Sequence, residues 1–81
     1  MSLDVVFLEI LRRFNAEGRR ASDRKGINYA PRLFVREREA KEARLGTAAL
    51  EKAMRRLLEA GLIMATDDGA SGRIVHQLVV C

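Results

Sequence analysis

The sequence predicts an α+β fold in which three helices are followed by a two-stranded antiparallel hairpin. Three stretches of the chain repeat apolar residues at the three- and four-residue spacing of an amphipathic helix. A later stretch is rich in β-formers and is divided by a run of turn residues, 67–72. With 81 residues, the chain forms a single domain over 1–81, which could itself be a fragment of a larger protein.

The first predicted helix covers residues 3–17 and presents one apolar face. The residues on that face are Leu3, Val6, Phe7, Ile10, Leu11 and Phe14. Ser2 suits the N-cap position, because its hydroxyl can accept a hydrogen bond from the first helical turn. Gly18 suits the position that ends the helix.

Residues 18–28 show no apolar period, so they predict an exposed loop with a short extended piece near Ala21 or Ile27. The basic residues of this loop are Arg19, Arg20, Arg24 and Lys25. Such a cluster can bind phosphates without regard to base sequence. The alternative is a solvated surface loop, and the sequence leaves both open.

The second predicted helix starts with Asn28 as N-cap and has Pro31 in its first turn, where a missing N–H is tolerated. It ends near Ala43 or Arg44, because Leu45–Gly46 reads as a short turn. The connection to the next helix is therefore only a few residues long.

The third predicted helix runs from about Thr47, a fair N-cap, to Ala60, and Gly61 ends it. Its apolar stripe consists of Leu50, Ala53, Met54, Leu57 and Leu58. The opposite side is polar and carries several cations, so the pattern is that of a helix with one buried face.

The predicted hairpin consists of strands 62–66 and 73–80. Asp67 and Asp68 are interpreted as turn residues whose side chains bond local N–H groups. In the second strand, even-numbered residues such as His76 and Leu78 share one face and odd-numbered residues share the other. The pattern leaves open which face is buried.

Positive charge is concentrated in the middle of the chain, whereas the net charge is only +4. Between Arg19 and Arg56 there are twelve basic and five acidic residues, a balance of +7. The remaining residues carry three basic and six acidic groups, a balance of −3. A basic middle suits a polyanionic partner. A mixed-charge surface that keeps the protein soluble is the alternative.

The sequence contains none of the motifs that would indicate an enzyme. It has no glycine-rich phosphate loop and no Ser/His/acid set, and its single histidine, His76, and single cysteine, Cys81, match no zinc-site spacing. We expect no catalytic residue, no cofactor and no metal. With no apolar run long enough to span a bilayer and no secretion signal, a cytoplasmic protein without a membrane partner is expected.

The order helix, loop, helix, tight turn, helix and hairpin is typical of a winged helix-turn-helix, in which the third helix enters the major groove of duplex DNA. The sequence therefore predicts a DNA-binding module. The predicted DNA-contacting residues are Arg44, Thr47, Ala48, Lys52, Arg55, Arg56, Arg73, Arg19, Arg20 and Lys25.

Three segments, 28–34 (NYAPRLF), 53–57 (AMRRL) and 61–63 (GLI), resemble a winged-helix segment at the C-terminal end of some bacterial and phage ATPases. Those ATPases are RecA-like or AAA-type proteins, similar to the plasmid-replication RepA helicases. The resemblance covers most of the chain and implies an accessory domain that binds DNA or a parent ATPase domain. The wing of that family is usually basic, and Asp67 and Asp68 depart from this pattern.

Two further hypotheses remain from the sequence. The domain could be a protein-interaction or homodimerisation module, with Val35, Ile63, Val75 and Val79 as apolar residues that the core does not need. It could also be a structural fragment whose role depends on its parent chain.

Overall fold

The computed structural model describes residues 2–68 and 75–81, with the backbone alone for 67–68 and 75–76. Within these residues the protein is a small α+β fold, as predicted, but with four helices instead of three. The elements are α1 (Leu3–Ala16), α2 (Ala30–Phe34), α3 (Arg38–Glu42), α4 (Thr47–Glu59), β1 (Ile63–Asp68) and β2 (Val75–Val80). None of the described helices combines the length and apolar character needed to cross a membrane.

Helix α1 forms as its capping residues predict. The Ser2 hydroxyl accepts a hydrogen bond from the Val5 N–H at 3.3 Å. At the other end Gly18 adopts a φ of +70°, and the chain turns so that the Arg19 N–H donates to the Phe14 carbonyl at 2.8 Å. A left-handed residue at this place is the usual way to end a helix.

The prediction of one continuous second helix is wrong. The chain forms two five-residue helices, α2 and α3, separated by a turn at 35–37. The N-cap of α2 is Tyr29, whereas Asn28 was predicted, and Pro31 lies in the first turn as expected. In the turn, the Glu37 N–H donates to the Phe34 carbonyl at 3.0 Å, a three-residue reach that tightens the end of α2.

A long-range ion-pair cluster lies at this break. Arg13 of α1 donates from Nη1 to Glu39 Oε2 at 2.7 Å and from Nη2 to Glu37 Oε1. Burial opposes the charge on Glu39, but hydrogen bonds from its own backbone N–H and from Arg13 outweigh it and lower its pKa. The break ends α2 and a new helix, α3, begins at Arg38. In this arrangement both carboxylates face Arg13, and Ala40 is buried in the core.

A short turn leads into α4, as predicted. Arg44 adopts a left-handed φ of +55°, and the Leu45 N–H donates to the Ala40 carbonyl at 2.9 Å. Gly46, and not Thr47, is the N-cap of α4, so Thr47 is the first helical residue. Gly61 has a φ of +73° and follows the end of the helix, which confirms the predicted stop.

Three phenylalanines form the centre of the core. The ring of Phe34 lies 4.8 Å from that of Phe7 and 4.9 Å from that of Phe14, centroid to centroid, and all three are fully buried. Tilted and edge-on contacts of this kind are favourable for aromatic pairs. Leu50 of α4 and Leu78 of β2 are also buried, so the core joins the helices to the hairpin.

The hairpin is antiparallel, with Ile63 opposite Val80 and Asp68 opposite Val75. Asp67 and Asp68 belong to β1, so their assignment to the turn is wrong. The pairing extends β1 beyond the β-rich stretch, and the rest of the predicted turn lies outside the described residues. Leu78 is fully buried and Val80 packs against the core, so these two residues of β2 face the helices.

The prediction that residues 18–28 form an exposed loop is confirmed only in part, because two residues of this segment are buried. Ala21 is fully buried and Ser22 is 7% exposed. The Leu78 N–H donates to the Ala21 carbonyl at 2.7 Å, so the extended piece predicted near Ala21 lies beside β2. The carbonyl of the buried Ala21 is thereby satisfied by the hairpin, a partner that lies far away in sequence.

Candidate nucleic-acid interface

The outer face of α4 presents an exposed pair of cations, Lys52 and Arg55, together with the small residue Ala48. The opposite face is anchored in the core by Leu50 and Leu57. Among the described residues, no carboxylate oxygen lies within 4.0 Å of a side-chain nitrogen of Lys52 or Arg55. Both charges are therefore available to an anionic partner.

Arg56 points outward as predicted, but it has a partner within the chain. Its Nη2 and Nε atoms lie 2.7 and 3.2 Å from Asp4 Oδ1 of α1. The hydrogen bond to Asp4 and the charge of that carboxylate raise the pKa of Arg56. Arg56 therefore ties α4 to α1, and its charge is partly neutralised before any ligand arrives.

A cleft opens beside the N-terminal end of α4. Its lining residues are Lys25, Gly26, Tyr29, Arg32, Thr47 and Glu51. The fold thus brings together Lys25 and Thr47, two predicted contact residues that are far apart in sequence. It adds Arg32, which the sequence reasoning missed. The position of Arg32 directly after Pro31, at the start of a predicted helix, was the one signal in the sequence that could have indicated it.

Tyr29 connects the loop before α2 to α4. Its hydroxyl donates to Glu51 Oε2 at 2.5 Å, and the residue is 9% exposed. Burial, followed by the hydrogen bond to Glu51 and the charge of that carboxylate, raises the pKa of Tyr29 to about 12, while Arg55 acts in the opposite direction. Glu51, the carboxylate next to Lys52 in sequence, therefore accepts a hydrogen bond from the neutral hydroxyl of Tyr29.

Tyr29→Phe is expected to lower the free energy of unfolding by about 1–2 kcal/mol at pH 8, because Glu51 loses its donor. The folded state raises the pKa of Tyr29 from 10.0 to about 12. Its contribution is therefore complete below pH 10 and is lost as the pH rises towards 12. Urea denaturation of both proteins from pH 8 to 11 measures this. A stability difference that did not shrink above pH 10 would contradict the assignment.

The other predicted contact residues are dispersed. Arg19 lies 4.0 Å above the Phe14 ring and within 3.6 Å of Glu17 and 3.5 Å of Glu37, so it has structural partners. Arg20 and Arg44 are exposed. Arg73 lies outside the described residues.

Acidic groups collect elsewhere, in a cleft between α1 and α3. Glu9, Glu39 and Glu42 line it together with Ala43. The described surface therefore separates an acidic cleft from the basic residues around α4. In the part of the chain that the structure describes, no group of three or more His, Cys, Asp or Glu residues is arranged to hold a metal ion.

Where side chains are described, the exposed apolar residues differ from those predicted, and the predicted Val75 side chain lies outside that part of the structure. Ile63 is buried and Val35 is half-buried against the core, because both belong to the packed faces of their segments. Leu62 and Met64, flanking Ile63, are instead about half exposed. Val79 is half-buried, opposite Met64 in the hairpin.

Comparison with known proteins identifies no relative: no family model, no curated protein and no solved structure matches the chain.

Proposed function

We propose that this chain is a winged helix-turn-helix module that binds duplex DNA, with α4 as its recognition helix. The element order supports this proposal, because a four-residue turn at 43–46 joins α3 to α4 and a hairpin follows. Helix-turn-helix motifs use connections of this length, often with a glycine such as Gly46. A single backbone hydrogen bond, from the Leu78 N–H to the Ala21 carbonyl, also joins the hairpin to the segment before α2.

The observation that carries the proposal is the exposed pair Lys52 and Arg55 on the outer face of α4. Recognition helices present their outer face to the major groove, where Lys and Arg bind guanine edges and phosphates. Ala48, one turn before Lys52, is small enough to let the groove approach. Glu59 lies at the far end of α4, and Glu51 is held by Tyr29.

The resemblance to the C-terminal segment of replication ATPases gives this function a biological setting. We propose that the module is an accessory domain that holds a larger ATPase on DNA. The cleft beside the N-terminal end of α4, which contains Lys25 and Arg32, would contact the duplex together with the outer face of α4. Other surfaces would contact the parent domain.

The proposal is tested by measuring duplex affinity for the wild type and for Lys52→Ala and Arg55→Ala between 50 and 300 mM salt. Each variant should bind more weakly, and its slope of log K against log salt should be shallower by about 0.9, because one phosphate contact is lost. Arg12→Ala is the matched control, since Arg12 is an exposed cation on the outer side of α1. It should leave the slope unchanged.

Two results would overturn the proposal, and a third would remove the role assigned to the outer face of α4. One is a folded wild type that fails to bind duplex DNA even at low salt. The other is a tight dimer in sedimentation that buries α4, which would favour the protein-interaction alternative through exposed apolar residues such as Leu62 and Met64. An effect of Arg12→Ala equal to that of Lys52→Ala would show that only the net charge matters.

A further inference from the structure

The loop from Ser22 to Tyr29 (the Ser22–Tyr29 loop) is closed by its own backbone hydrogen bonds. The Ser22 N–H donates to the Asn28 carbonyl at 2.6 Å, and the Ala30 N–H donates to the Ser22 carbonyl at 2.8 Å. The Ser22 hydroxyl also accepts from the Arg24 N–H at 3.1 Å. With Ser22 and Tyr29 buried, the loop is anchored to the core at both of its ends.

An apolar side chain projects from this loop. Ile27 is 92% exposed, far more than any other large hydrophobic residue in the described part of the chain. Single exposed apolar residues are common, so exposure alone means little. What distinguishes Ile27 is its setting, because Arg32, Leu33 and Arg36 line the same shallow cleft.

The surroundings of Ile27 are cationic. Arg32 and Arg36 are both exposed, and neither has a carboxylate within 4.0 Å among the described residues. The one carboxylate within the loop, Asp23, has its Oδ1 atom buried. An apolar tip in a cleft that also carries two arginines without a carboxylate partner matches a sugar–phosphate backbone, whose deoxyribose presents apolar C–H groups and whose phosphates are anionic.

This surface is continuous with the outer face of α4. Arg32 lines both the cleft with Ile27 and the cleft that contains Lys25 and Thr47. Lys25 and Arg32 therefore lie at the start of α4, the helix whose outer face carries Lys52 and Arg55, and the carboxylate in that cleft, Glu51, is held by the Tyr29 hydroxyl. Cations that belong to the loop, to α2 and to α4 fit a long polyanion better than a lipid surface, which a single projecting apolar residue would touch at one point.

We propose that the Ser22–Tyr29 loop is a second contact with duplex DNA, next to the groove that α4 enters. Ile27 packs on deoxyribose at the edge of the neighbouring minor groove, and Arg32 and Arg36 bind the phosphates on either side. This inference rests on the proposed function and adds two kinds of contact. The Ile27 contact does not depend on salt, whereas the phosphate contacts of Arg32 and Arg36 do. Apolar side chains at minor-groove contacts are a known means of holding DNA.

The test compares Ile27→Ser with Arg36→Ala in the same duplex titrations. Ile27→Ser should weaken binding by roughly fivefold at every salt concentration with no change of slope, because apolar burial releases no counterions. Arg36→Ala should make the slope shallower by about 0.9. Val5→Ser is the matched control, since Val5 is a 42% exposed aliphatic residue on α1, and it should bind as the wild type does.

The outcomes separate this inference from the proposed function. A wild type that binds duplex DNA, together with an Ile27→Ser variant of equal affinity, overturns the loop contact and leaves α4 as the interface. Ile27-dependent binding to phosphatidylserine vesicles, without duplex binding, overturns both. Because Ile27 is almost fully exposed, Ile27→Ser should keep the wild-type melting temperature, so a loss of affinity reports on the contact and not on folding.

Discussion

Phe34→Ala is expected to lower the free energy of unfolding by about 3–5 kcal/mol, the usual cost of removing a buried phenylalanine. Phe34 is fully buried between the rings of Phe7 and Phe14, at centroid distances of 4.8 and 4.9 Å. It also ends α2, so the cavity would form where that helix meets α1. The total free energy of unfolding of a native protein is only about 5–15 kcal/mol. The Phe34→Ala variant should therefore be close to unfolding.

Urea denaturation followed by circular dichroism measures the loss for Phe34→Ala. Phe34→Leu is the control, because it keeps most of the apolar volume and should retain a larger part of the stability. A loss below about 1 kcal/mol for Phe34→Ala would show that the three rings do not form the core described here.

The double charge reversal Lys52→Glu/Arg55→Glu is expected to weaken duplex binding by about a hundredfold at 100 mM salt. Each phosphate contact contributes a slope of about −0.9, which corresponds to roughly eightfold in affinity between 1 M and 100 mM salt. Losing two contacts gives about sixtyfold, and repulsion between the new carboxylates and phosphate adds to it. Fluorescence anisotropy with a labelled duplex measures the change.

Arg12→Glu/Lys41→Glu is the matched control for the double reversal. It changes the net charge by the same amount at exposed sites on α1 and α3. This control should lose far less affinity, because its charges lie away from the proposed interface. If both double variants lost equal affinity, general attraction and not the outer face of α4 would account for binding. Thermal melts of both variants establish that they fold.

Local sequence signals predicted α1, α4 and the hairpin well. In α1 and α4 the apolar residues recur with the period of a helix, and Gly18 and Gly61 adopt the left-handed conformation that ends a helix. These features depend on residues within one or two turns of each other. They can be recognised without knowing where the rest of the chain lies.

The break between α2 and α3 could not be predicted in this way. Residues 35–42 (VREREAKE) consist mostly of good helix formers, so local propensity favours one continuous helix. The cluster at the break pairs Glu37 and Glu39 with Arg13, which is more than twenty residues earlier in the chain. Tertiary contacts of this kind commonly override helix propensity.

The candidate interface likewise has one feature that the sequence predicts and one that depends on tertiary contacts. The outward placement of Lys52 and Arg55 follows from the helical period of α4, so the amino-acid sequence is enough to predict it. Which cations keep their charge available was decided only by the tertiary structure, since Arg56 meets Asp4 across 52 residues of chain. Periodicity states which side of a helix a residue occupies, but ion pairing depends on which other element packs beside that helix, and folding alone brings those elements together.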